Sequence, residues 1–336
     1  SIPLGYFGGI GAASRYGILV KGSNYLDTLA SVRHIVLDKT GTLTKGVFSV
    51  QQAVIQPGYD RTELLQLVGH AERNSTHPVA TAILDYVGTS DVPVSIAYTE
   101  ELPGLGLRSL ANGKELVIGN FKLLERLHIP YPELPNTADQ TVIAIAYDGQ
   151  FAGYLFISDE IKSDAVDAIN QLKVLGIQPT LLSGDRINVV RAVADRLGIS
   201  EAYGDLLPED KVKKFSEIRS AVGRVAFVGD GINDAPVIAI SDVGIAMGAL
   251  GSDATVETAD VVIHDDAPKK LPLAIRIGRA TRHIVWQNMI MAFSVKAIVL
   301  ILGAGGLANM WEAVFADVGV ALLAIANAVR IQQMRF

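Results

Sequence analysis

Asp38-Lys39-Thr40-Gly41-Thr42-Leu43-Thr44 follows directly on the apolar run His34-Ile35-Val36-Leu37. A short β-branched and apolar run that stops at Asp and passes into Gly and hydroxyl residues has the pattern of a buried strand ending on a polar loop. Ligands of open α/β sheets bind at such carboxyl ends. Asp38 at the strand tip is a candidate nucleophile, with the hydroxyls and backbone amides of Thr40 and Thr42 able to cradle a phosphate beside it. An isolated Asp after a strand is equally a turn or cap residue; the full seven-residue run favours the chemistry.

Two further Gly-Asp loops follow strand-like runs. Leu181-Leu182-Ser183-Gly184-Asp185 offers a hydroxyl and a backbone amide to a phosphate, although a capped turn has the same composition. Val228-Gly229-Asp230-Gly231-Ile232-Asn233-Asp234-Ala235-Pro236 ends a strand on Asp230 and sets Asn233 and Asp234 one turn on. These are hard oxygen ligands placed where magnesium would bridge the Asp38 carboxylate and a phosphoryl oxygen; a surface Asx-rich turn is the alternative. Lys211, in Pro208-Glu209-Asp210-Lys211, opens a helix and alone reads as a solvated lysine.

The elements that must position these residues are legible in outline. From Ser158 onward, helix-like runs (165–175, 189–197, 211–221) alternate with strand-like runs (179–182, 225–228, 244–247, 261–263). This alternation predicts βαβ units and a doubly wound parallel sheet, to which the Asp38 strand also belongs. Between them lies an α+β insert. It has helical patterns at 63–68 and 80–87, strand patterns at 116–118, 141–147 and 151–157, an Asp148-Gly149 hairpin signal and a Pro-rich loop at 130–135.

The runs 284–302 and 310–329, joined by Gly303-Ala304-Gly305-Gly306, are apolar and of membrane-spanning length, which predicts a transmembrane helical hairpin. Arg279, Arg282 and His283 before it and Arg330 and Arg335 after it place both ends on the cytoplasmic side. Lys296 and Asp317 lie inside these runs, each about 15 Å from the turn at 1.5 Å per residue. At that depth they can pair, and an ionisable residue in lipid is by default functional. Glu312 has no role in this pattern. The glycine-rich start, with Arg15 and Lys21 after it, has the character of the last turns of a membrane helix.

Composition sets bounds. The 336 residues exceed one ordinary domain, and 29 Lys plus Arg against 35 Asp plus Glu give no support to a nucleic-acid partner. A mean hydropathy of +0.32 with 19% charged residues places part of the chain in lipid. The absence of cysteine removes disulfides and thiolate ligands, and the six scattered histidines make no zinc spacing on a helix face.

On Asp38 to Thr44, the two Gly-Asp loops and Lys211, the sequence resembles the P-type ATPases and, more widely, the haloacid-dehalogenase-like phosphotransferases. The resemblance implies that Asp38 accepts the γ-phosphoryl of ATP, that Lys39, Thr40, Ser183, Gly184, Asp185, Lys211, Asn233 and Asp234 serve that transfer, and that Asp38, Thr40 and Asp230 hold magnesium. Ser183 stands where these pumps commonly carry Thr. The insert resembles the nucleotide-binding domain of the heavy-metal (type IB) subclass. Glu72 and Ser75-Thr76-His77-Pro78 match its acidic and Ser-x-His-Pro motifs, Gly104-Leu105-Gly106 its G-x-G, and Gly119-Asn120 its Gly-Asn. An imidazole can stack on or hydrogen-bond adenine, and glycines admit close backbone approach.

The contexts of Lys296 and Asp317 resemble the zinc, cadmium and lead exporters of that subclass, with Asp317 contacting the metal and Lys296 as counter-ion. Signals of the copper and cobalt pumps are not found. The expected organisation is therefore the end of a membrane helix and linker at 1–33 and a phosphorylation domain at 34–46 and 158–278. That domain is split by a nucleotide-binding domain at 47–157 and followed by two membrane helices at 279–336. The whole is a multi-pass protein of the cell membrane with cytoplasmic domains. No Thr-Gly-Glu-Ser loop or Cys-Pro-Cys motif occurs. The chain is thus expected to be the carboxyl-terminal portion of a pump, to bind ATP, and to need an actuator domain and further membrane helices as partners for transport. Copper or cobalt specificity and a soluble haloacid-dehalogenase-type phosphatase are the alternatives; Thr40, where such phosphatases commonly place a second Asp, disfavours the phosphatase.

Overall fold

The computed structural model describes residues 2–75, 77–88, 94–102, 104–132, 141–230, 234–248, 257–306 and 309–336. In chain order they form α1 (Ile2–Arg15), β1 (Ile18–Val20), α2 (Ser23–Ser31), β2 (His34–Asp38), β3 (Thr44–Ile55), α3 (Arg61–Glu72), α4 (Pro78–Val87) and β4 (Ile96–Leu102). Next come β5 (Gly106–Ala111), β6 (Lys114–Gly119), α5 (Phe121–Arg126), β7 (Thr141–Tyr147), β8 (Gln150–Ile161), α6 (Ala165–Val174), β9 (Gln178–Leu182) and α7 (Ile187–Leu197). The chain continues with β10 (Glu201–Tyr203), α8 (Pro208–Val222), β11 (Val225–Gly229), α9 (Ala235–Ile240), β12 (Val243–Met247), β13 (Val261–Ile263), α10 (Lys270–Ala304) and α11 (Met310–Gln333). Two compact units result: Ser1–Leu43, Lys162–Val190 and Ala194–Phe336 form one, Thr44–Ile161 and Arg191–Val193 the other.

The first unit is built on a seven-stranded sheet of order β1-β13-β12-β11-β2-β9-β10, parallel except for β1. All residues of β2, β11 and β12 are buried. Strands covered on both faces read as continuous apolar runs, which is why they stand out in the sequence. The register sets Leu37 beside Val228 and Asp38 beside Leu182, so the loops after β2, β9 and β11 leave the same edge. Beneath them Phe227 of β11 meets Phe215 of α8 edge-on, with ring centroids 5.8 Å apart, among Val36, Leu182 and Val237.

The second unit carries an antiparallel sheet of order β3-β8-β7-β6-β5-β4. Leu116 and Ile118 of β6 pack with Leu64, Leu67 and Ile83 of α3 and α4. Val117, between them, packs on the other face with Leu123 and Leu124 of α5. Asp148 (φ +56°) and Gly149 (φ +75°) make the hairpin that the Asp-Gly pair predicts. β4 and β5 have no counterpart in the sequence reading. β4, mostly exposed, is an edge strand of Tyr98-Thr99-Glu100-Glu101, and an edge needs no apolar alternation.

α10 and α11 are each long and apolar enough to cross a membrane, with mean hydropathy 1.8. α10 runs without a break through residues 278–279, where the sequence reading divides cytoplasmic domain from membrane. Its first turns bury Leu271, Ala274, Ile275 and Ile277 in the first unit, so one helix belongs to both environments. α1 packs against α10 and α11. Asn288 is buried between the two long helices, donating to the Ala324 carbonyl (3.2 Å) and accepting from Asn327 (2.8 Å). Glu312 is a capping residue: its Oε2 accepts from the Asn309 amide (2.8 Å), while Asn309 Oδ1 accepts from the amides of Trp311 and Glu312.

Phe227 is fully buried in this core, so Phe227→Ala should destabilise the first unit by about 3–5 kcal/mol. Denaturant unfolding followed by far-ultraviolet circular dichroism should show an early transition; an unshifted midpoint would mean that this packing carries little of the unit's stability.

Candidate active site

β2 ends on Asp38, β11 on the peptide before Asp230, and β9 on the peptide before Ser183, at the common edge of the parallel sheet. Lys211 comes from the first turn of α8 and lies buried. Its Nζ is 2.5 Å from Asp38 Oδ1 and 3.0 Å from Asp234 Oδ1. Asp38, Asp230 and Asp234 bring one carboxylate oxygen each within 4.8 Å of the others. Burial first, then the neighbouring Asp234 carboxylate, pushes Asp38 above the usual carboxylate range, against the pull of Lys211. The same two causes raise Asp230 to about 6, with Lys162 pulling it down. Desolvation works against the Lys211 ammonium, but the Asp38 and Asp234 carboxylates outweigh it and hold the lysine above its ordinary value. Asp38 and Asp234 share the Lys211 ammonium, and Asp230 crowds a third set of carboxylate oxygens against them. A hard divalent cation is the group that such an oxygen set fits.

Lys39, also buried, pairs with the half-exposed Asp185 at 2.6 Å. Ser183 Oγ accepts from the Asp185 amide (3.2 Å), so this hydroxyl shapes its own turn. Thr40 is exposed and Thr42 buried, with Thr42 Oγ1 lacking a hydrogen-bond partner among the described residues. Gly41 has φ +73°, and a Cβ there would lie 1.5 Å from Asp230 Oδ2. Only glycine admits both that backbone and that carboxylate. Asn233 lies outside the described residues.

One group here is absent from the sequence reading. Lys162, buried just after β8, donates to the carbonyls of Gly41 and Thr42 and to Asp266. Nothing in Asp159-Glu160-Ile161-Lys162-Ser163-Asp164 marks this lysine as buried, since a lone Lys among acids reads as solvated.

In the second unit a cleft of about 450 Å³ is lined by Glu72, Ser75, His77, Gly104, Gly106, Gly119 and Asn120 with apolar neighbours such as Leu107, Ile118 and Ile143. Glu72, His77, Gly104, Gly106, Gly119 and Asn120, all expected at a nucleotide, are therefore on one cavity, with Ser75 beside them; Thr76 lies outside the described residues. Gly106 (φ +139°) faces Gly119 across β5 and β6, and a Cβ on Gly106 would meet the Ile118 carbonyl at 2.2 Å. Asn120 ties the loop to α5, donating to the Gly104 carbonyl (2.8 Å) and accepting from the Leu123 amide (3.2 Å). His77 Nδ1 accepts from the Val79 amide (3.2 Å), which leaves Nε2 protonated in the neutral ring. Glu72 is buried, and desolvation, with Glu101 adding to it, raises its carboxyl to about 7.

On the membrane hairpin, Lys296 Nζ and Asp317 Oδ1 lie 3.8 Å apart on facing helices, with side chains 68% and 70% exposed. The pair foreseen from depth alone is thus formed, and this chain leaves it uncovered.

The sequence pattern of the haloacid dehalogenase-like hydrolases matches residues 32–242. The chain is 51% identical over 336 residues to a zinc-transporting ATPase of Synechocystis sp., covering 98% of this chain and 46% of that protein. It is 49% identical over 339 residues to a cadmium, zinc and cobalt-transporting ATPase of Bacillus subtilis, covering 100% of this chain and 48% of that protein. The crystal structure of a zinc-transporting PIB-type ATPase in the E2·Pi state superposes with a TM-score of 0.89 at 33% identity, over 98% of this chain and 55% of that one. The chain spans about half the length of the curated relatives it matches.

The raised Glu72 carboxyl binds its proton more tightly in the folded than in the unfolded chain. Its contribution to stability is therefore complete below the ordinary value of 4.5 and is lost as pH climbs to about 7. Glu72→Gln should leave the denaturation midpoint nearly unchanged at pH 4 and stabilise the second unit by about 3 kcal/mol at pH 8. Equal midpoints at pH 8 would show that the carboxylate is not penalised there.

Proposed function

Since the chain belongs to the haloacid dehalogenase-like hydrolases, and among them to the heavy-metal-transporting P-type ATPases, we propose that it serves an ATP-driven exporter of zinc, cadmium or lead that works through an aspartyl phosphate at Asp38. The observation that carries this reading is the strand-end cluster, in which Lys211 bridges Asp38 and Asp234 beside Asp230. In this reading residues 34–46 and 158–278 are the phosphorylation domain, 47–157 the nucleotide domain, and 279–336 two membrane helices.

ATP occupies the cleft of the second unit. His77 Nε2 donates to or stacks on the base, and Glu72, near half-protonation at neutral pH, faces a base nitrogen as donor or acceptor. Gly104, Gly106, Gly119 and Asn120 let the backbone come close to the nucleotide. Phosphoryl transfer then needs in-line attack by a carboxylate oxygen. Lys211 grips Asp38 Oδ1, so the attack falls to Oδ2; its bond to the γ-phosphorus forms as the β,γ-bridging bond breaks and ADP leaves. Lys211, with Ser183 and Gly184, faces the charge on the phosphoryl oxygens, and Lys39 is steered by Asp185. Asp38, Asp230 and Thr40 would hold magnesium, with Asp234 beside them, and the ion would supply charge neutralisation for the phosphoryl group.

The metal ion is the cargo. A carboxylate in lipid is costly unless paired, so Asp317 is compensated by the transported dication in one state and by Lys296 in another. Zinc and cadmium tolerate a carboxylate in their shell, whereas copper(I) prefers softer ligands. Both ends of the helical hairpin lie in the cytoplasm, and an actuator domain and further membrane helices complete the pump.

Asp38→Asn should abolish the acid-stable, hydroxylamine-sensitive phosphoenzyme while ATP binding, read by calorimetry, persists; normal labelling would refute the nucleophile. His77→Ala should weaken ATP binding roughly tenfold, about 1.4 kcal/mol, without unfolding the second unit. Asp317→Ala should remove zinc stimulation of ATP hydrolysis in the pump, and stronger stimulation of the parent by copper(I) than by zinc would overturn the substrate class.

A further inference from the structure

Lys162 is a buried lysine with an unusual set of partners. Its ammonium has three protons, and it has three acceptors: the carbonyls of Gly41 and Thr42 (3.1 Å for the latter) and Asp266 Oδ1 at 2.7 Å. Its backbone amide donates to the Leu43 carbonyl at 3.0 Å. One residue thus binds three consecutive carbonyls of the loop that begins at Asp38. A buried ammonium is costly unless neutralised and fully hydrogen-bonded, and here Asp266 supplies the charge while the loop supplies the remaining acceptors.

The opposite side of the same loop is closed. At Gly41 the space that a Cβ would take is filled by Asp230 Oδ2, so the peptide there sits between the Lys162 ammonium and the Asp230 carboxylate. A simple buried structural lysine would need acceptors from anywhere in its surroundings. This one takes all but one of its acceptors from the segment Gly41–Leu43, and the remaining one, Asp266, anchors it to the turn after β13. Among the described residues, Lys162 makes no hydrogen bond or ion pair to Asp38 or Asp234, the two carboxylates that Lys211 holds. The two lysines divide the work: Lys211 binds the Asp38 side chain, and Lys162 binds the backbone that carries it.

We propose that Lys162, anchored by Asp266, is a positioning residue for phosphoryl transfer, fixing the Gly41–Leu43 backbone so that Asp38 meets the γ-phosphoryl group in line. This rests on the phosphoryl-transfer reading above. Removing the ammonium leaves two loop carbonyls without their donor and lets the peptide drift from Asp230. Displacement of about 1 Å near a reacting atom costs on the order of 10²-fold in rate.

The test is single-turnover labelling from ATP in the membrane-embedded pump, comparing the parent with Lys162→Met and Asp266→Asn. Lys162→Met should lower the rate constant of phosphoenzyme formation on the order of 10²-fold, with ATP affinity unchanged and the labelling endpoint still reached. Asp266→Asn, whose side chain tolerates the left-handed backbone at that position (φ +57°), should lower the rate constant roughly tenfold. A merely structural role would reduce the endpoint, as molecules unfold, and leave the rate constant of the remainder at the parent's value; that result overturns the proposal. If Lys162→Met fails to fold, Asp266→Asn decides, and labelling at the parent's rate constant refutes it. Absence of phosphoenzyme in the parent would instead sink the phosphoryl-transfer reading, and this proposal with it.

Discussion

Three carboxylates and one ammonium share a buried space at the edge of a parallel sheet, and most of the first unit exists to hold them there. Asp38 and Asp234 reach the same Lys211 nitrogen from different segments of the chain, 2.5 and 3.0 Å away. Such proximity is unfavourable without excess positive charge, which is why burial and mutual repulsion raise both Asp38 and Asp230. The cost is sustained by β2, β11 and β12, whose residues are buried throughout and whose register leaves no freedom to separate the loops. Repulsion of this kind is what a divalent cation can relieve.

The second unit solves a different problem with a different device. Its cleft is mainly apolar, with two carboxyls, an imidazole and a glycine-lined rim, as suits a flat heteroaromatic base attached to a charged tail. The close approach of Gly106 to Gly119 draws β5 and β6 together at that rim, and Asn120 fixes the loop through both its amide nitrogen and its amide oxygen. On the membrane hairpin the solution is again charge pairing, but with Lys296 and Asp317 left open to further partners.

Much of this was legible in the sequence where the physics is local. Central strands announce themselves as apolar runs, the Asp148-Gly149 turn by its dipeptide, and the membrane helices by length and hydropathy. The candidate chemistry was legible because Asp38 is the last residue of such a strand and Ser183 and Asp230 each sit just past one. What was illegible depends on distant partners. Lys162 looks like a surface lysine until the fold sets it against residues 41, 42 and 266. Edge strand β4 lacks the alternation that marks a half-buried strand. The break between domain and membrane has no sequence signature because α10 crosses it as one helix. Asn288 and Glu312, polar residues in apolar surroundings, are explained only by their partners across the hairpin and at the helix cap.

The central claim is that phosphate is carried by the Asp38 carboxylate itself. After brief incubation with ATP and magnesium and an acid quench, reduction with borohydride converts an aspartyl phosphate to homoserine, and peptide mass spectrometry locates it. The account predicts homoserine at position 38 and at no other aspartate of the cluster. Unreduced Asp38 accompanied by a borohydride-resistant phosphate on Thr40, Thr42 or Ser183 would contradict it.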